Sequence, residues 1–310
     1  MDRHLPHPVR SRTLWSVWVV AALLMLDWTS GVAYLVWVAG SALVLAAVMG
    51  ALPRRRASGP QFDLAVIGLL YAGVVALMWA AFEGFTQDRV AGLFLCFAAA
   101  LLLGTVGPII YTVWTSDRSL VDLGLRRDNW RQAAGYALLF AGVQFSLTFW
   151  GYHFPAASDW VPLMTMALVV GVFESVFFRG FIQSRLEERF GPMVGVGGAA
   201  VLYGGYHVGY GMRGTEILFL TGLGIVYAVA FAVARNLLVL WPLLTPMGSW
   251  FANLEGGDID LPWASIAGFV DVLVLMLATL WLADRHERRP MVGPSASPAN
   301  RQIHHRHAPH

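Results

Sequence analysis

The chain has 310 residues, 57% of them hydrophobic and 13% charged, with a mean hydropathy of +0.60. Soluble domains carry about 25% charged residues, so a soluble globular fold is excluded and an integral membrane protein is expected. A formal charge of +2, with no basic stripe interleaved with aromatics, argues against a nucleic-acid partner. A lone cysteine, Cys96, excludes disulfides and cysteine-based metal sites.

Apolar runs of about 18 or more residues mark spanning helices. In chain order they fall near 14–27, 31–52, 63–82, 90–114, 132–152, 161–184, 192–209, 215–233, 236–253 and 262–283. The expected fold class is therefore all-α, a polytopic transmembrane helical bundle of about ten spans. The first run is short and could be half of a re-entrant hairpin. Arg10 and Arg12 precede it without a small-residue cleavage site, so it reads as an anchor rather than a signal peptide. Arginine clusters set the orientation. Arg54–Arg55–Arg56, Arg126/Arg127/Arg131, Arg185/Arg189, Arg235 and the 285–289 cluster lie on alternate connections. The opposite connections "YHFPAASDW" and "EGGDIDLP" contain none, so both termini are expected in the cytoplasm. The segment "SLVDLGLRRDNWRQ" (119–132) reads as an interfacial connector, and the chain beyond Pro290 as a disordered tail whose "HHRHAPH" lacks partner ligands for a metal.

Charge inside the spans is costly and marks function by default. "GVFESVFFRGFIQSRLEERF" (171–190) carries Glu174 and Arg179 among valines and phenylalanines. Phe190–Gly191–Pro192 is a helix-ending, helix-opening turn. Glu174 precedes that turn, and His207 follows it, by about 24 Å of helix at 1.5 Å per residue. Antiparallel helices would then hold the carboxylate and the imidazole at one depth, the minimum for activating a water. Bland readings compete with this one. Glu174 could join helices by a hydrogen bond, and His207 could be a satisfied core histidine with Tyr203, four residues earlier, fixing its ring. Arg179 could snorkel to the headgroups, or bond Ser175 at the i, i+4 spacing. The glycines between Gly191 and Gly211 read as close helix packing, not as a nucleotide loop. In "WPLLTPMGSWFANLEGG", Thr245, Ser249 and Asn253 share one helix face and could either supply oxyanion donors or glue helices together.

These residues resemble the motifs of the CPBP family, the CAAX prenyl endopeptidase and bacteriocin-processing intramembrane proteins, also called Abi. "ESVFFRG" is similar to its EExxxR motif at Glu174 and Arg179, and "YGGYH" to its FxxxH motif at Tyr203 and His207. "LGLRRDNW" and "FIQSRLEERFG" add to the likeness, which extends over about residues 116–255. The resemblance implies an intramembrane endopeptidase of the glutamate type. Glu174 would be the general base, His207 would orient the water, Ser249, Asn253 and Thr245 would support the oxyanion, and Arg179, Ser175 and Tyr203 would be structural. Two departures stand out. The second motif Glu is Ser175, which removes the usual partner of Arg179, and the third motif has Ser249 in place of its His.

The resemblance divides the chain into a cytoplasmic N-terminal tail (1–13), N-terminal transmembrane helices (14–115), a family-like core (116–284) and a disordered cytoplasmic tail (285–310). No cofactor or metal is expected. The expected partners are a membrane-associated peptide or protein substrate and the lipid bilayer. A Lys-free, Arg-rich chain reads as bacterial and multi-pass in the plasma membrane. The alternative is a non-catalytic family-like scaffold or bacteriocin-immunity protein, favoured by the two replaced motif residues. A small transporter fits less well, because no inverted repeat is visible. HExxH, a pair of aspartates on adjacent spans and GxSG are all missing from the sequence.

Overall fold

A computed structural model describes residues 8–29, 31–50, 61–85, 89–116, 118–256 and 261–288, and among these the regular structure is helical with no strand. The elements are α1 (Pro8–Leu24), α2 (Gly31–Val48), α3 (61–84), α4 (89–115) and α5 (Trp130–Thr148). They continue as α6 (Ala157–Phe190), α7 (Pro192–Tyr206), α8 (Thr215–Ala234), α9 (Leu244–Gly256) and α10 (Ser265–Glu287). A helix therefore stands at each apolar run read from the sequence. Seven segments, however, are long and apolar enough to cross a bilayer: α2, α3, α4, α6, α8, Leu237–Gly256 and α10. α1, α5 and α7 fall outside that set, α7 being only 15 residues long. The protein is thus a multi-pass integral membrane protein. Several expected boundaries shift. α1 begins at Pro8 rather than 14, and α10 runs on to Glu287, past the expected end of the core at 284. The ninth run opens with a short 3-10 turn, Leu237–Val239, and its helix starts only at Leu244. Arg54–Arg55–Arg56, residues 257–260 and the chain beyond 288 with its histidine run lie outside the described residues.

α6 is the most enclosed of the candidate spans and α10 the least. The turn that ends α6 is built as its residues require. Gly191 takes φ +91°, a conformation that favours glycine, and Pro192 opens α7 where its missing N–H costs nothing. α7 then packs on α8 through its small residues. A Cβ on Gly204 would collide with the Thr221 hydroxyl and lie 2.8 Å from the Ile217 carbonyl oxygen and 2.9 Å from the Thr221 amide. Backbone atoms cannot yield as a side chain can. Gly204→Val is accordingly expected to cost about 1–3 kcal/mol by overpacking, read as a lowered thermal midpoint in detergent.

The connector at 118–129 is pinned rather than merely interfacial. Leu120 and Leu123 are buried. The Asn129 amide donates to the Ala234 carbonyl at 2.8 Å, and the Asn236 amide to the Arg126 carbonyl at 2.9 Å. Arg126 pairs with Asp128 and holds that exposed carboxyl below the usual carboxylate range. The N-terminal helices are tied to this region by a polar cluster. Tyr111 donates to Asp63 at 2.5 Å, and Arg118 bridges Asp63 at 3.5 Å and Glu188 at 3.2 Å. Buried Glu187 is met by Gln183 at 2.9 Å and by Arg235 at the end of α8.

Candidate active site

α6 changes character at Glu174, a buried acid midway along it. It is α-helical up to Glu174 and π-helical over Ser175–Gln183 before returning to α at Ser184. A π-turn bonds i to i+5, widens the helix, and is frequent at functional sites. Its consequence here is register: Arg179, five residues on, comes round toward the side of Glu174 instead of turning away. Gly180 adds room, since a Cβ there would lie 2.6 Å from the Leu123 carbonyl oxygen of the connector.

α7 brings two phenols to the carboxylate. Tyr203 and Tyr206 are three residues apart and so share a helix face. The Tyr206 hydroxyl donates to Glu174 Oε1 at 2.5 Å and the Tyr203 hydroxyl to Oε2 at 3.4 Å. His207 opens a 3-10 turn at the end of α7 and lies in the same cluster, its ring centroid 4.1 Å from that of Tyr206. Its Nδ1 is 2.9 Å from the Tyr203 carbonyl oxygen. A carbonyl only accepts, so in the neutral ring Nδ1 carries the proton and Nε2 keeps its lone pair. All four side chains are buried. Glu174 and His207 thus share Tyr203 and Tyr206 as neighbours, with no hydrogen bond drawn directly between them.

Tyr206 is the residue that sequence reasoning passed over. The i, i+3 relation to Tyr203 was the available signal, but only a known position for Glu174 gives it meaning. Tyr206→Phe keeps the ring packing and removes the shorter bond. A hydrogen bond to a charged group contributes about 1.5–3 kcal/mol, so a fall of roughly 10–150-fold in turnover is expected. Steady-state kinetics on the folded variant would check it, with a lowered thermal midpoint expected alongside because the same bond holds a buried group.

The residues expected to be supporting separate into three situations. Ser175 does not bond Arg179; its hydroxyl meets Thr245 Oγ1 at 3.3 Å, so Thr245 stands beside α6 one residue from the acid. Arg179 does not snorkel. It is 1% exposed, its guanidinium sits 5.0 Å over the Tyr203 ring, and its two terminal nitrogens have no hydrogen-bond acceptor among the described residues. Ser249 and Asn253 follow Thr245 along α9, which runs antiparallel to α6, with Pro246 against Gly171 and Trp250 against Trp160. The Asn253 amide donates to the Ser249 carbonyl at 2.7 Å. Between Thr245 and Ser249, Gly248 backs onto the Tyr227 hydroxyl, which a Cβ would approach to 2.5 Å.

A mostly apolar cavity of about 420 Å³ reaches α6 at Val172 and Ser175, on either side of Glu174 in sequence. It runs between α6 and α10, past Leu277 and Trp281, to Arg127 of the connector. Among the described residues no three His, Cys, Asp or Glu side chains converge as a metal-ligand set.

Fold and site together define a multi-pass helical membrane protein with a buried carboxylate clasped by phenols beside an imidazole. Residues 154–243 match the family model described as Rce1-like, type II CAAX prenyl endopeptidase, which is the family that the motifs resemble. That segment holds Glu174, Ser175, Arg179, Tyr203 and His207, and stops short of Thr245, Ser249 and Asn253. At the family level it supports a peptidase. No curated protein and no solved structure matches the chain.

Proposed function

We propose that the protein is an intramembrane endopeptidase of the glutamate type, acting on a membrane-associated protein or peptide in a bacterial plasma membrane, with both termini cytoplasmic. The observation that carries this reading is the Glu174 carboxylate, buried and held by Tyr206 and Tyr203 beside His207, inside the segment that matches an endopeptidase family. Glu174 takes a proton from a water whose oxygen attacks the scissile carbonyl carbon. Nε2 of His207 accepts the water's other hydrogen in a hydrogen bond and aims its lone pair. The carbonyl electron pair moves to oxygen, and the α9 face carrying Thr245, Ser249 and Asn253 supports the charge. On collapse the C–N bond breaks, and Glu174 returns its proton to the nitrogen, leaving an acid and an amine. The cavity beside Ser175 gives an apolar substrate segment a route from the connector to α6.

The test is cleavage by the purified protein in liposomes. The probes are internally quenched peptides ending in a prenylated CAAX sequence, alongside a library of membrane-embedded peptides. Cleavage that is lost in both Glu174→Ala and His207→Ala supports the reading; cleavage that persists in both removes it. A non-catalytic scaffold or immunity protein is the second reading, favoured by Ser175 and Ser249 standing where the motifs have Glu and His. It predicts peptide binding without cleavage by any form of the protein.

A further inference from the structure

Arg179 is a buried cation among the described residues that the proposed mechanism leaves without a role. The residue is 1% exposed, and both terminal nitrogens of its guanidinium lack an acceptor among the described residues. A buried cation without hydrogen-bonded compensation is strongly unfavourable, and native structures retain one where it has work to do. Its one described contact is the Tyr203 ring at 5.0 Å, and the hydroxyl of that same ring reaches the Glu174 carboxylate. The guanidinium therefore lies one aromatic ring away from the acid. Two sequence departures then look like one change. The acid that would occupy Arg179 is Ser175, whose hydroxyl is turned away to Thr245. The imidazole that would serve the oxyanion is Ser249, a neutral hydroxyl.

Resting on the endopeptidase reading, we propose that Arg179 is a catalytic oxyanion donor, released by Ser175 and adding to the hydroxyl that stands at Ser249 in place of an imidazole. In the addition step the water oxygen bonds to the carbonyl carbon, its proton goes to Glu174, and the C=O electron pair moves onto oxygen. The guanidinium receives that oxygen through terminal N–H groups that have no acceptor among the described residues. When the C–N bond breaks the pair returns to the carbonyl, and Arg179 is left as it began.

The inference separates from a structural role by the sign of one substitution. Ser175→Glu supplies the missing acceptor beside Arg179. A guanidinium that only lacks a partner would be satisfied by it, and activity would hold or rise. A guanidinium that serves the reaction would be taken out of it. On the peptide cleaved by wild type, Ser175→Glu is expected to lower kcat by about 10²–10³-fold, the usual effect of losing an oxyanion donor. KM should stay within a few-fold and the thermal midpoint should be equal or higher. Ser249→His, added to Ser175→Glu, should restore most of the rate. If Ser175→Glu does not yield folded protein, Arg179→Lys takes its place. It keeps the charge but loses the planar pair of donors, and kcat should fall while the fold holds. A wild-type kcat in the folded variant overturns the proposal. If Glu174→Gln inactivates while Ser175→Glu does not, the endopeptidase reading stands and this inference falls. No cleavage by wild type fells both.

Discussion

Glu174→Gln lowers kcat/KM on a cleaved peptide by about 10²–10⁴-fold, the range that a positioned general base contributes. The substitution is nearly isosteric, and the amide Oε1 still accepts from Tyr206, which now sits 2.5 Å from the carboxylate. Packing against α7 is therefore kept. The buried site loses a charge whose desolvation opposes folding but also the negative charge nearest the Arg179 guanidinium, so the thermal midpoint is measured beside the rate. The combination matters: an inactive protein that melts no earlier has lost chemistry, not structure. Turnover within a few-fold of wild type would remove Glu174 from the mechanism.

His207→Ala is the second large effect, with a loss of about 10²-fold or more in kcat and little change in KM. The ring leaves a gap beside Tyr206, whose centroid lies 4.1 Å from it, and Nδ1 no longer caps the Tyr203 carbonyl. Some stability is therefore lost as well, and the two losses need separating. Imidazole added to the buffer can enter the gap and present a nitrogen lone pair to the water. It should recover part of the rate in His207→Ala and none in Glu174→Gln. An unrescued variant with an intact fold would assign His207 to packing alone.

Much of the site was legible because helices are periodic and their rise is constant. Counting equal lengths from Phe190–Gly191–Pro192 was enough to expect Glu174 and His207 in one place, and Tyr203 and Tyr206 join them there. The glycines of α7 were legible for a similar reason: small residues in an apolar run permit close approach, and Gly204 meets Ile217 and Thr221. Arg179 was not legible. Spacing alone offered the headgroups or Ser175, and the π-helical register over Ser175–Gln183 decided for neither. Span counting was legible only coarsely: hydropathy marks about ten apolar runs, and seven segments among the described residues are long and apolar enough to cross a bilayer.

By itself the sequence determined that the protein is helical and membrane-embedded, and which acid and imidazole could meet. Hydropathy and helical rise are local quantities, summed along the chain without knowledge of neighbours. Only the tertiary structure decided what surrounds them: Tyr206 on Glu174, Thr245 on Ser175, and a guanidinium left over the Tyr203 ring. Those contacts join residues between 24 and 70 positions apart, with several helices contributing at once. Their geometry depends on which faces pack and at what level, and no single segment carries that information.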